Sequence, residues 1–297
     1  SSSCRRPRGD QRRHDDPPHA AQGECVRVAH YPVESADDPR VDAYLRLTDM
    51  DLRQRIEPER GFFMAEGHLV IERCVASGLP ISSVLTAPRW LDRLTGMLAG
   101  VDVEVLVADE VLLRDITGFN VHRGALAVVS RPPSLTVDEV IGDAQDVLVL
   151  EDLVDPTNVG LAIRSAVVQG FASIVLSPGC ADPLYRRAVK SSMGAVLRCR
   201  WARSDDWSTT LAALARRCQV IALTPEGEDD IDDALAAAAH EPVALMLGSE
   251  GPGLTAAALR AAGSRARIPM ASGEDSLNVA AATAVACYER ARSRRDP

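Results

Sequence analysis

Leu148-Val149-Leu150-Glu151-Asp152-Leu153-Val154-Asp155-Pro156-Thr157-Asn158-Val159-Gly160-Leu161-Ala162-Ile163-Arg164 reads as a buried strand that runs straight into the start of a helix. Proline and small polar residues at a strand end suit a helix N-terminus, where Thr157 or Asn158 can accept from backbone N–H groups that lack a partner. Taken alone, Asn158 is a cap. Arg164 follows Ile163 and precedes Ala166, Val167 and Val168, so it reads as an arginine carried inward on an apolar helix. A buried guanidinium needs either a neighbouring acid or a bound anion.

Two later segments have the same strand-to-loop character. In Leu245-Met246-Leu247-Gly248-Ser249-Glu250-Gly251-Pro252-Gly253-Leu254, glycines let the backbone approach a ligand closely. The loop lacks the Gly-Lys-Ser/Thr end of a P-loop and the spacing of a dinucleotide fingerprint. Glu250 would repel a polyphosphate, but it is compatible with a cofactor that carries a sulfonium charge. A tight turn with an acid capping the next helix is the plain alternative. The third segment runs from Ile268-Pro269 to Ser276-Leu277-Asn278, where Ser276 reads as the N-cap of a long apolar helix, Val279 to Tyr288, that serves as core or interface.

The rest of the chain sets bounds on these readings. With 297 residues, 46% hydrophobic and 25% charged, it has room for two globular domains, and no apolar run approaches the roughly 20 residues of a membrane span. No apolar segment near the N-terminus marks it for secretion, so the expected compartment is cytoplasmic. Seven cysteines without a C-x-x-C pair read as free thiols, and no metal is expected. A net charge of -9 runs against the basic footprint of an RNA-binding protein. Almost all the positive charge is arginine, which grips phosphate bidentately, and it gathers near both ends (Arg5, Arg6, Arg8, Arg12, Arg13; Arg290, Arg292, Arg294, Arg295). A GC-rich coding sequence would favour arginine equally well.

Residues 1–35 lack periodicity and read as a disordered tail. Residues 36–131 alternate helices and strands as a small α/β domain, with a helix expected over Val41 to Leu47. Residues 132–145, which open on Pro132-Pro133 directly after Arg131, read as a linker. From 146 to 297 the alternation resumes as an α/β domain with a mainly parallel sheet.

In order and spacing the three segments resemble those of the SpoU (TrmH) RNA ribose methyltransferases, and the resemblance extends over 37–297. It places the family's catalytic residues at Asn158, Arg164, Glu250, Ser276 and Asn278. It places cofactor contacts at Gly248, Ile268 and Leu277, with Thr224 and Gly227 as a further wall. The N-terminal part resembles the L30e-like RNA substrate-binding domain, notably in Arg60-Gly61-Phe62-Phe63-Met64-Ala65-Glu66-Gly67 and Val70-Ile71-Glu72-Arg73. The resemblance implies a trefoil-knotted catalytic domain, S-adenosylmethionine as cofactor and a homodimer with its active sites at the interface. The implied activity is methylation of a ribose 2′-hydroxyl, in 23S ribosomal RNA by family habit. A transfer RNA substrate and a catalytically inactive RNA-binding paralogue are the alternatives. A Rossmann-type methyltransferase would instead need a glycine-rich turn where this chain has Glu151 to Asn158.

Overall fold

The computed structural model describes residues 28–121, 124–142, 146–271 and 277–294. The first unit contains β1 (Ala29–Pro32), α1 (Met50–Glu59), β2 (Phe62–Glu66), α2 (His68–Ala76), β3 (Ile81–Thr86), α3 (Leu91–Met97), β4 (Glu104–Val107), α4 (Glu110–Thr117) and β5 (Ala125–Ser130). Its five strands form a mixed sheet in the order β1-β4-β3-β5-β2, with β2 and β3 antiparallel to β5. Strand β1 corrects the expected tail boundary, because Ala29 to Pro32 add to the edge of β4 in parallel register. The strand is short, exposed and ends in proline, as edge strands do, and it leaves no periodic signal. The helix expected over Val41 to Leu47 is a 3-10 turn, Pro39–Tyr44, that buries Val41 and Tyr44.

The second unit follows with α5 (Val137–Gly142), β6 (Asp146–Leu150), α6 (Pro156–Val168), β7 (Ser173–Leu176), α7 (Arg186–Ser191), β8 (Arg200–Arg203), α8 (Trp207–Arg217), β9 (Gln219–Leu223), β10 (Asp229–Asp230), α9 (Ile231–Ala237), β11 (Val243–Leu247), α10 (Ala256–Ala261), β12 (Ser264–Arg267) and α11 (Val279–Ser293). The segment expected as a linker therefore contains a helix. Val140 and Ile141 of α5 bury against the second unit's core, which is why a proline-led stretch still folds.

The seven strands are ordered β10-β12-β9-β11-β6-β7-β8, and every pairing is parallel. A parallel sheet covered on both faces needs continuous apolar strands. Alternate residues then divide between two cores. Leu148, Leu150, Leu245 and Leu247 face α6, α7, α9 and α11, while Val147, Val149, Ala244 and Met246 face α5, α8 and α10. The chain leaves β6 toward β7 and β8, then returns to β9 on the far side of β11. Open parallel sheets bind ligands at the carboxyl ends of their strands near such a reversal.

Two ties fix the ends of this arrangement. Arg290 of α11 is fully buried and donates to Asp146 at the start of β6, to the Ala238 carbonyl at 3.0 Å and to the Glu241 carbonyl at 2.6 Å. Between the units, buried Glu66 of β2 accepts from Arg186 at 2.5 Å and from Lys190, and Arg131 pairs with Asp182 at 2.6 Å.

Candidate active site

A cavity of about 570 Å³ opens at the carboxyl ends of β9, β11 and β12. Leu223, Leu247, Leu254, Leu259, Ile268, Leu277 and Val279 supply apolar wall, while Thr224, Glu226, Glu250 and Asn278 bring polar groups to it. The loop after β11 folds back on itself, with a bridge between Ser249 and Gly253 and the Gly253 N–H donating to the Ser249 carbonyl at 3.1 Å. Gly248 lies where that loop crosses its own root. A Cβ there would sit 2.3 Å from the Gly253 carbonyl carbon, so no other residue fits without moving the wall.

Of the five residues read as cofactor contacts, Thr224, Gly248, Ile268 and Leu277 line this cavity. Gly227 does not, and stands behind the wall. Its N–H closes a turn onto the Thr224 carbonyl at 3.0 Å, and a Cβ would meet the Ala266 carbonyl carbon at 2.3 Å. The turn it permits brings Glu226 to the cavity, where the Thr224 hydroxyl donates to the carboxylate at 2.5 Å. That hydrogen bond holds the Glu226 carboxyl below its ordinary range, so it stays anionic near neutral pH.

The residues read as catalytic are distributed unevenly. Asn158 donates from Nδ2 to Glu250 Oε1 at 3.1 Å, which joins the first and second segments at the mouth of the cavity. It is not the helix cap. Asp155 holds that place, accepting from the Thr157 N–H at 2.7 Å with Pro156 as the first helical residue. Asn158 is thereby left inside the first turn with its carboxamide free to reach out. Asn278 lines the cavity and caps α11, accepting from the Ala281 N–H at 2.8 Å, and so takes the capping role expected of Ser276. Ser276 itself lies outside the described residues.

Arg164 departs most from expectation, because its side chain is exposed. Helix α6 buries Val159, Ala162, Ile163 and Ala166, an i, i+3, i+4, i+7 stripe, and Arg164 stands one step beyond it. Six residues from Asn158 correspond to about 9 Å along the axis and about 120° of rotation. Arg164 therefore shares a face with exposed Val168, and it is absent from the cavity lining of its own chain.

One functional neighbour escaped the sequence reading. Glu151, 1% exposed at the end of β6, accepts from the Thr255 N–H at 2.7 Å, the Thr255 hydroxyl at 2.8 Å and the Trp207 indole. It anchors the start of α10, and with it the far end of the Gly248 to Leu254 loop. Its signal was a carboxylate placed directly after the apolar run Val147 to Leu150, a position that cannot be left without donors.

These loops have counterparts in known proteins. A sequence profile of the SpoU rRNA methylase family matches residues 145–288. The chain is 42% identical over 259 residues to an uncharacterised tRNA/rRNA methyltransferase of Mycobacterium tuberculosis, covering 86% of this chain and 90% of that protein. It belongs to the SpoU rRNA methylase family. Among solved structures, it resembles an S-adenosylmethionine-bound rRNA methyltransferase of Sinorhizobium meliloti, with a TM-score of 0.74 and 27% identity over 89% of this chain and 98% of that one. A second, described as an RNA 2′-O ribose methyltransferase, matches with a TM-score of 0.71 and 26% identity over 89% of this chain and all (100%) of the other. This SpoU-family protein is accordingly an RNA methyltransferase whose cofactor is S-adenosylmethionine.

The cavity suits that cofactor. Its apolar wall can enclose an adenine, its carboxylates oppose a cationic group, and among the described residues that line it there is no basic side chain for a polyphosphate. Replacing Gly248 with alanine is expected to shift the loop and weaken S-adenosylmethionine binding at least about tenfold, the equivalent of roughly 1.4 kcal/mol. Calorimetric titration reads this directly. An unchanged Kd would mean that the loop root takes no part in holding the cofactor.

Proposed function

We propose that this protein methylates a ribose 2′-hydroxyl of ribosomal RNA, with 23S RNA as the substrate. The observation that carries the reading is the Asn158–Glu250 hydrogen bond, which brings the first and second family segments together at a cavity that Asn278 of the third also lines. A structural neighbour described as a 2′-O ribose methyltransferase supports the choice of acceptor.

S-adenosylmethionine supplies an electrophilic methyl group on a sulfonium. Within this chain, Gly248, Ile268 and Leu277 hold the cofactor through backbone and apolar contact, while Thr224 and Gly227 shape the turn that presents Glu226. A ribose hydroxyl is a poor nucleophile near neutral pH, so it must be oriented and its developing negative charge stabilised. We assign that to Arg164, whose guanidinium N–H donors can meet the oxygen as its charge develops. The hydroxyl oxygen would accept that methyl, leaving a neutral thioether, while its proton would pass to water or a phosphate oxygen. Asn158, Glu250, Ser276 and Asn278 orient the RNA and the loop backbone.

Because Arg164 lies outside its own cavity, we assign it to the cavity of a second copy in a homodimer. The adjacent helices α6 and α11 leave Val168, Val285 and Tyr288 exposed, at 66%, 40% and 55%, a surface suited to burial against that copy. Light scattering is expected to show a dimer. The C-terminal segment, whose strand β12 inserts between β9 and β10, is read as the threaded part of a trefoil knot.

The acceptor has its own test. An RNA fragment that accepts one methyl is expected to accept none when the target nucleotide carries a single 2′-deoxy sugar, while its affinity falls less than about tenfold. Phosphate and base contacts outlast the loss of one oxygen. Methylation of the deoxy fragment would move the acceptor to a base atom, and mapping methyl sites in RNA from a deletion strain separates ribosomal from transfer RNA.

A further inference from the structure

At the junction of the two units, acids neutralise Arg131, Arg186 and Lys190. Three other arginines at the same junction are treated differently. Arg73 projects from α2 of the first unit, and its Nη1 donates to the backbone carbonyl of Met193 in the second. Its stem lies against Gly194, where an added Cβ would meet Arg73 Cδ at 3.3 Å. Gly194 has φ +74° and opens the 3-10 turn Ala195–Arg198, which packs on α6. Arg198 ends that turn, and Arg164 lies on the exposed face of α6. Among the described residues, the side chains of Arg164 and Arg198 make no hydrogen bond or ion pair, and Arg73 makes only its bond to Met193.

Like charges collected from three elements are not what a chain with net charge -9 produces by default. Its surplus of acids could have paired them, as it pairs their neighbours. Half-burial pushes the Arg73 guanidinium down from its ordinary pKa, and the charges of Arg198 and Arg164 push it further, with Glu72 alone opposing. Placing an anion among the three would relieve that cost. Arginine forks match phosphate oxygens in geometry as well as charge.

We propose that Arg73, Arg198 and Arg164 form a phosphate-gripping notch across the domain junction, so that both units hold one RNA backbone. The notch rests on the RNA substrate reading and adds to it two binding residues, Arg73 and Arg198. It also explains how an acidic protein grips RNA, through a local concentration of unpaired arginine.

The test measures binding of the full chain to a labelled single-stranded oligoribonucleotide of mixed sequence, across a series of potassium chloride concentrations. Each phosphate contact contributes about 0.7 to the slope of log K against log salt for a single strand. Arg198→Ala is expected to lower the slope by about that amount and weaken binding several-fold at low salt, and Arg198→Glu to weaken it further. Arg73→Gln, which keeps a donor for Met193, is expected to show a second loss of similar size. S-adenosylmethionine affinity should stay at its wild-type value in all three. If the wild-type slope is steep and the Arg198 variants reproduce it, the notch is overturned while the RNA reading stands. Loss of dimerisation with the RNA slope intact would make the arginines interface residues and overturn it as well. A wild-type chain that binds neither this RNA nor deproteinised ribosomal RNA would instead bring down the substrate reading, and the notch with it.

Discussion

Arg164→Ala is expected to lower kcat by about 100- to 1,000-fold, the usual cost of removing a donor aimed at developing negative charge, with S-adenosylmethionine affinity unchanged. Arg164→Lys should fare little better, because a point charge on a flexible stem does not reproduce the planar fork. Exposure of Arg164 and its absence from its own cavity add a second expectation. If the arginine serves the partner's cavity, neither Arg164→Ala nor Gly248→Val is active as a homodimer, yet a mixture of the two regains activity. Each mixed dimer has one site that combines an intact cavity with an intact arginine. Random exchange of equal amounts places about half the chains in mixed dimers, for about a quarter of wild-type activity. No recovery after verified subunit exchange would show that each chain uses its own arginine, by a rearrangement of α6.

Asp146→Ala is expected to cost about 3–5 kcal/mol, since it leaves Arg290 charged, fully buried and short of its carboxylate. Typical total stabilities are about 5–15 kcal/mol, so this variant should lie close to unfolding at physiological temperature. Arg290→Met should be milder. It removes the charge itself, and Asp146 keeps the Val243 N–H at 3.0 Å and Arg294 at 3.3 Å. The pair of exposed Arg292 with Glu289 provides the contrast, with a much smaller expected cost for Glu289→Ala. Urea denaturation ranks the three. A loss for Asp146→Ala no larger than that of Glu289→Ala would mean that water reaches Arg290 and the tie contributes little.

Much of this architecture is visible in the sequence because parallel strands buried on both faces leave an unmistakable trace. Leu148 to Leu150 and Val243 to Leu247 are apolar throughout, the first running into the acidic turn Glu151-Asp152 and the second into the glycine-rich loop from Gly248. The cavity residues were legible only through the family resemblance, and Thr224, Gly248 and Ile268 stand just past the ends of β9, β11 and β12. Arg164 was misread because its sequence neighbours are apolar, whereas a helix sorts residues by 100° steps and puts it beside Val168 rather than Ile163. Capping was misassigned at both helix starts. Asp155, Asn158, Ser276 and Asn278 are all competent acceptors, and backbone direction, which composition does not encode, decides among them. Helix α5 stayed hidden because only Val140 and Ile141 in its six residues are buried. The arginine junction needed three segments folded together before its lack of acids became visible.

The tie between Arg290 and Asp146 also bears on how the protein is made. Its partners are separated by 144 residues, and the helix it fastens carries Asn278 and Val279 to the wall of the cavity. Contacts between residues so distant in sequence form late in folding, after their loop-closure entropy has been overcome. A chain still emerging from the ribosome can assemble the first unit and β6 to β8 while β9, β11 and β12, the strands that open into the cofactor cavity, are still incomplete. Competence for methyl transfer therefore arrives in a single late event, the docking of α11, and a nascent chain surrounded by ribosomal RNA stays inert toward it until translation has passed the residues that close the cavity.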